Sequence, residues 1–171
     1  MLKLRLKDPE MLLPDAHTCD EAASRGMETL IINHLREKNQ STVPNRFGLP
    51  KSNYYADAAK DVEASASGNV ARVEITKPGI TMHYEGGTVY PKKKALAMPI
   101  SPAVAEIWPS EYTGEGHQLF KTPGGALGDA ETGEILYILL PKATIPADKT
   151  VLPSDDAILG TAEEAIWEMV S

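Results

Sequence analysis

The chain has 171 residues, a formal net charge of −7 at pH 7, 42% hydrophobic residues and 24% charged residues. This length allows one domain with a sizeable core. The single cysteine, Cys19, excludes an internal disulfide framework and is compatible with folding in a reducing cytoplasm. The negative charge argues against a general nucleic-acid-binding surface, which needs clustered cations. An acidic wall would instead let DNA pass without sticking to it.

The N-terminal residues Leu2, Leu4 and Leu6 alternate with basic residues, which predicts a short strand with one apolar face. The continuous apolar stretch of a signal peptide does not follow the basic start. No apolar run approaches the roughly 18–20 residues that would span a bilayer, so we expect no membrane partner.

A long helix is predicted over about 18–39. Thr18 and Glu21 match a capping box, in which side chains satisfy the unpaired backbone N–H groups of the first turn. Gly26 weakens a helix by about 1 kcal/mol relative to Ala. Close packing against another element would explain its presence. The apolar residues at helical spacing are Ala23, Met27, Leu30, Ile31 and Leu35.

The next segments predict short elements separated by turns. Two prolines, an asparagine and a glycine make 41–50 a loop, and Ser52 can cap a short second helix that reaches Val62. A turn is predicted at 65–69. Alternation over 70–75 then predicts a strand.

More strands are predicted towards the middle of the chain. Segment 80–84 fits either a strand or a turn of helix, 88–90 is extended, and 94–100 fits a strand. Pro99 limits how centrally that last strand can lie in a sheet, because proline cannot donate to the ladder.

The second half predicts a strand pair, long loops and a final helix. Segments 118–120 and 134–140 are predicted to pair across a long turn, and the apolar run 135–140 should be buried on both faces. An apolar stripe predicts a helix over 155–170. Long loops are predicted at about 101–117, 121–133 and 141–153.

The order of elements predicts an α+β fold. A long N-terminal helix, a short second helix and a C-terminal helix pack on a mainly antiparallel β-sheet, in a single domain over residues 1–171. We find no internal repeat.

Residues that could carry catalysis are scattered. The four histidines, His17, His34, His83 and His117, have no pairwise helical spacing, so no metal site and no cofactor is predicted. Cys19 near a helix N-terminus leaves open a small cytoplasmic hydrolase with a cysteine nucleophile.

Two local motifs also have competing interpretations. The glycine-rich segment 123–128 is followed by acidic residues and a strand, so it predicts a hairpin loop in place of a phosphate cradle. The basic run Lys92-Lys93-Lys94 could touch DNA or an acidic partner. The alternative, favoured in an acidic protein, is a solvated turn before a strand.

Several segments together resemble the virion-morphogenesis and tail-completion family of tailed bacteriophages. The most specific is His83-Tyr84-Glu85-Gly86-Gly87-Thr88, followed by Pro-Lys-Lys at 91–93 and a strand that ends at Pro99. The passage 48–59 and the segment from 139 to the C-terminal helix are similar as well. The resemblance covers about residues 15–170.

The resemblance implies a structural protein and not an enzyme: a neck or tail-completion subunit, similar to head–tail joining and tail-terminator proteins. It implies a homo-oligomeric ring, which we expect to be a hexamer. The ring would contact the head–tail connector, tail terminator or tail tube. DNA would pass through without sequence-specific binding. The location would be the neck or tail of the virion, after assembly in the host cytoplasm.

The resemblance also implies which residues matter. The family-motif residues, expected to be structural, are His83, Tyr84, Gly86, Gly87, Thr88, Pro91, Lys92, Lys93 and Pro99. The residues that we expect at interfaces lie in or beside the predicted loops and are Trp108, Tyr112, Phe120, Pro146 and Leu152. A prophage-derived adaptor that has left the virion is a further alternative.

Overall fold

A computed structural model describes residues 15–42, 49, 52–67 and 70–170. The predicted strand at Leu2–Leu6 and most of the predicted 41–50 loop lie outside the described residues. The helices are α1 (Ala16–Ser41), α2 (Tyr54–Ala58), α3 (Ile80–Glu85), α4 (Pro109–Gly114) and α5 (Asp155–Val170). The strands are β1 (Val62–Ala66), β2 (Ala71–Ile75), β3 (Gly87–Val89), β4 (Leu96–Pro99), β5 (Leu119–Lys121), β6 (Ala126–Asp129), β7 (Ile135–Leu140) and β8 (Ala143–Ile145).

The fold is α+β, as predicted, and every strand pair in the described residues is antiparallel. The chain divides into two compact units. The helical unit contains α1, α2, β1, β2 and α5, whereas the sheet unit contains most of α3, strands β3 to β8 and α4. The single domain predicted over 1–171 stays a prediction.

The N-terminus of α1 is capped by Asp15, and the predicted capping box at Thr18 and Glu21 is wrong. The Asp15 carboxylate accepts hydrogen bonds from the Thr18 backbone N–H at 2.8 Å and from the Thr18 hydroxyl at 3.0 Å. These bonds hold the pKa of Asp15 below its usual value. The helix therefore begins two residues earlier than predicted, because aspartate is itself a strong capping residue.

Gly26 lets α1 and α5 approach closely, which confirms the packing expected from the sequence. A Cβ at Gly26 would lie 2.9 Å from the Cβ of Ala165 and 3.3 Å from the backbone oxygen of Thr161. On α1, Leu35 is fully buried and Ile31 nearly so. The buried stripe of α1 thus supplies much of the core of the helical unit.

A β-hairpin follows the short helix α2, where the sequence predicted a longer helix and then a turn at 65–69. Val62 lies opposite Ile75 and Ala66 lies opposite Ala71. The Glu28 carboxylate of α1 accepts a hydrogen bond from the Ala64 N–H at 3.2 Å. Alanine and glutamate are depleted in strands, so pairing with β2 and this tertiary contact determine the strand.

The main sheet has four strands in the order β4-β7-β6-β5. Strand β6 lies between the two strands that we predicted to pair directly, so that pairing is wrong. β4 is at the edge, as Pro99 predicted. In the central strand β7, the neighbouring residues Leu136 and Tyr137 are both buried, which confirms burial on both faces there.

Tyr137 is the centre of the core of the sheet unit. Its ring is fully buried with Val104 and Leu136, and Ala97, Ile107 and Leu127 pack around them. The hydroxyl donates a hydrogen bond to the Ile107 carbonyl at 2.9 Å. Burial raises the pKa of Tyr137 above its usual value. The ring thus joins the sheet to the segment before α4.

The segments predicted as loops at 101–117, 121–133 and 141–153 contain short elements. The first holds a 3₁₀ turn at Pro102–Val104 and helix α4, the second holds β6, and the third holds β8 and a 3₁₀ turn at Lys149–Val151. Helix α4 begins with Pro109, a favoured first helical residue, and the Glu111 carboxylate accepts the Trp108 N–H at 2.9 Å. These local caps were missed in a sequence rich in Pro, Ser and Gly.

Gly86 ends α3 and allows β3 to start immediately. Its φ of +80° is a conformation that favours glycine, and its N–H donates to the Met82 carbonyl at 2.9 Å. A Cβ at this position would lie 2.8 Å from the backbone nitrogen of Ala147. The turn therefore packs directly on the segment after β8.

Replacing Gly86 with Ala should destabilise the protein by about 1–2 kcal/mol, from backbone strain and the contact with Ala147. Gly125→Ala is the matched control, because Gly125 has a φ of +78° but nothing within 4 Å of an added Cβ. It carries the strain without the contact. Urea denaturation of both variants measures the difference, and equal losses would show that the Ala147 contact contributes nothing.

Candidate functional site

An apolar groove with a cationic rim runs along strand β4. One cleft of about 610 Å³ has Leu96, Met98 and Leu140 in its lining. A second cleft of about 810 Å³ shares Ala95, Ala97 and Pro109 with the first. We call both clefts together the lysine-rimmed groove. The exposed lysines that line it are Lys92, Lys93, Lys94 and Lys121.

The groove brings together residues that were predicted from separate features of the sequence. The family-motif residues Pro91, Lys92, Lys93 and Pro99 line the first cleft with Trp108, a predicted interface residue. Trp108 is 65% exposed. An exposed indole beside an apolar cleft is typical of a protein interface. The basic run thus borders an apolar surface, a context that the run alone did not reveal.

The position of the groove follows from two local features. β4 is the outermost strand, so its outer edge borders no other strand of the four-stranded sheet. Pro109 starts α4 and leaves Trp108 extended just before the helix, with ψ near 150°. The backbone before α4 therefore places the indole beside the edge strand.

The remaining family-motif residues lie in the turn formed by α3 and β3. His83 and Tyr84 are half-buried in α3, and Thr88 in β3 lies opposite Thr144 in β8. Burial lowers the pKa of His83, and the charge of Asp148 opposes this shift. The Asp148 N–H also donates to the His83 carbonyl at 3.0 Å. Gly87 is held in β3 against Met82, with an added Cβ 3.2 Å from the Met82 side chain.

The predicted interface residues other than Trp108 do not line the lysine-rimmed groove. Phe120 is 40% exposed on β5, the opposite edge strand of the sheet. Pro146 is exposed just after β8, and Leu152 is half-buried in the helical unit. Tyr112 is half-buried and takes part in the hydrogen bonding of a turn.

Tyr112 and Asp129 form a hydrogen-bonded pair that stabilises the β6–β7 turn. The Tyr112 hydroxyl donates to the Asp129 carboxylate at 2.9 Å, and this bond raises the pKa of Tyr112 to about 12. Asp129 also accepts the backbone N–H groups of Thr132 at 2.7 Å and Glu131 at 3.0 Å. The Thr132 bond is the main cause of a lowered pKa at Asp129. The ring of His117 stacks on Tyr112 with centroids 4.3 Å apart.

This pair gives a pH-dependent prediction. The lowered pKa of Asp129 contributes stability above pH 3.8 that is lost as pH falls through the folded-state pKa. The raised pKa of Tyr112 contributes stability below pH 10.0 that is lost as pH rises through about 12. Asp129→Asn should therefore lower the melting temperature by several degrees at pH 7 and by less at pH 3.

Melting curves of wild type and the Asp129→Asn variant across pH 3–7 test this expectation. Tyr112→Phe serves as the control, because it removes the donor while leaving the carboxylate with its two backbone donors. It should cost less than Asp129→Asn at pH 7. A wild-type advantage that does not shrink towards pH 3 would contradict the assignment.

Catalytic candidates do not converge in the residues that the structure describes. No group of three or more His, Cys, Asp or Glu side chains there could hold a metal ion. Cys19 lies half-buried within the first turn of α1. The Tyr112 hydroxyl is committed to a carboxylate and holds its proton to about pH 12, so it is poorly suited to act as a base.

A second exposed apolar surface was missed in the sequence. Leu159 and Trp167 of α5 are 62% and 68% exposed, and they flank Glu163 at helical spacing on one face. On the predicted stripe, Ile158, Ala162, Ala165 and Ile166 are half-buried, whereas Ala157 and Met169 are exposed. The sequence signal for this surface was the pair Leu159 and Trp167, which are eight residues apart and lie outside the main apolar stripe.

No protein-family model, curated protein or solved structure matches the chain. The resemblance to phage tail-completion proteins therefore stays a prediction from the sequence motifs. None of the helices in the described part of the chain is long and apolar enough to cross a membrane.

Proposed function

We propose that the protein is a structural subunit of a tailed bacteriophage particle, acting at tail completion or in the neck. It forms a homo-oligomeric ring in the virion, contacts connector, terminator or tail-tube proteins, and lets DNA pass through the centre. No catalytic step is part of this role.

One observation carries the proposal. The Pro-Lys-Lys and Pro99 motif residues, chosen for their resemblance to tail-completion proteins, share an exposed apolar groove with Trp108. Exposed apolar surface bordered by charge favours protein association over chemistry on a small substrate. The net charge of −7 also supports passage of DNA without binding.

Electron microscopy of the purified protein, alone and mixed with isolated tail tubes of the phage or prophage that encodes it, tests the ring. We expect closed rings with a central channel, free or seated at one end of the tube. A protein that remains monomeric in both preparations would contradict the proposal. A matched Trp108→Ala sample should show fewer rings at the same concentration.

A further inference from the structure

The lysine-rimmed groove and the exposed face of α5 have complementary properties. The apolar lining of the first cleft, which we call the floor, includes Leu96, Met98 and Leu140, and the exposed Lys92 and Lys93 line the same cleft. A fitting partner would present aliphatic or aromatic side chains flanked by carboxylates. The chain carries such a surface itself.

That surface is the outer face of α5. Leu159, Glu163 and Trp167 recur every four residues and are all exposed, so they form one stripe. The stripe is about 12 Å long at the rise of an α-helix. Asp156 and Glu164 are also exposed beside it, and the helix contains no Lys or Arg.

We infer that α5 of one copy docks its Leu159–Trp167 stripe into the lysine-rimmed groove of a second copy. The apolar side chains would cover the floor, and the flanking carboxylates would face the lysines at the rim. Charge complementarity favours α5 as the partner of the groove. An acidic amphipathic helix offers apolar side chains to the floor and carboxylates to the lysines of the rim.

The geometry of such a contact has a consequence for assembly. Groove and stripe are different surfaces of the same chain, so the contact is heterologous, and each copy can join two neighbours, one through its groove and one through its stripe. Contacts of this kind close into rings or extend into filaments. The inference rests on the proposed function, since it names the two surfaces through which ring subunits join.

Charge reversal on each side provides the test. The stripe variant is Glu163→Lys with Glu164→Lys, and the groove variant is Lys92→Glu with Lys93→Glu. All four side chains are exposed, so both variants should fold. Glu37→Lys with Glu63→Lys is the matched control for the stripe variant, with the same charge change at exposed sites of α1 and β1.

Native mass spectrometry and analytical ultracentrifugation of a dilution series measure the association. Wild type and the control should form oligomers larger than a dimer, and raised salt should weaken them. Each reversal should weaken association at least about tenfold, because like charges then face each other. The variant with all four substitutions should recover the wild-type oligomer.

The outcomes separate the docking pair from the proposed function. Oligomers that withstand both reversals, or a fourfold variant that stays dissociated, would overturn the docking pair and leave the ring proposal standing. If only tail tubes induce rings, the same variants are compared on tubes with the same criteria. Wild type that is monomeric alone and on tail tubes would overturn both.

Discussion

Replacing Tyr137 with Ala should destabilise the sheet unit by about 3–5 kcal/mol, the range for removing a large buried aromatic ring. The ring is fully buried with Val104 and Leu136 on the central strand β7, so neighbouring side chains cannot easily fill the space. The substitution also leaves the Ile107 carbonyl without its hydroxyl donor.

Tyr137→Phe separates the two contributions. It keeps the ring and removes only the hydroxyl that donates to Ile107 at 2.9 Å, so we expect a loss of about 1–2 kcal/mol. Urea denaturation followed by circular dichroism measures both changes. Hydrogen exchange should show lost protection in β4, β6 and β7 for the alanine variant. An alanine variant as stable as the phenylalanine variant would show that Tyr137 is not a core residue.

Replacing Gly26 with a larger residue should have the second large effect on stability, in the helical unit. Gly26→Leu should destabilise it by about 3 kcal/mol, at the upper end for overpacking of a tight contact. An added Cβ already lies 2.9 Å from the Cβ of Ala165, and leucine extends further. Gly26→Ala should also destabilise, because this contact outweighs the gain of about 1 kcal/mol in helix propensity.

Gly160 supplies the matched control for Gly26. It lies inside α5 and an added Cβ meets nothing within 4 Å. Gly160→Ala should therefore stabilise the protein by about 0.5–1 kcal/mol. Thermal and urea denaturation of both alanine variants measure the two signs. A stabilising Gly26→Ala would mean that α1 and α5 do not pack at this point.

Elements with a strong periodic signal could be predicted from the sequence. The long α1 and the amphipathic α5 follow from apolar residues at helical spacing, and β7 follows from its continuous apolar run. Pro99 correctly placed β4 at an edge, since proline has no backbone N–H to donate to a neighbouring strand. Gly26 correctly indicated a close contact, although not its partner.

Elements that depend on distant contacts could not be predicted. β1 contains alanine and serine, and its strand conformation depends on pairing with β2 and on the contact with Glu28. β6 contains glycine and aspartate, and it depends on pairing with β5 and β7 on its two sides. Helix α4 depends on a cap from Glu111 within a segment that has the composition of a loop. The start of α1 was misplaced because both Asp15 and Thr18 are good capping residues.

The candidate site was predictable only in part. The sequence identified Lys92, Lys93 and Pro99 by resemblance, and Trp108 as an interface residue. It did not show that they line one surface, because Trp108 reaches the edge strand only through the chain path before α4. The exposure of Leu159 and Trp167 could not be recognised from the sequence, because the other face of α5 is apolar as well.

Removal of the gene from its phage or prophage, followed by electron microscopy of the induced lysate, tests the structural role most directly. The proposal predicts filled heads and separate tails in place of joined particles, with joining restored when the wild-type protein is supplied from a plasmid. Protein carrying the groove reversal Lys92→Glu with Lys93→Glu should fail to restore it. Normal, infective particles in the deletion lysate would contradict a tail-completion or neck role.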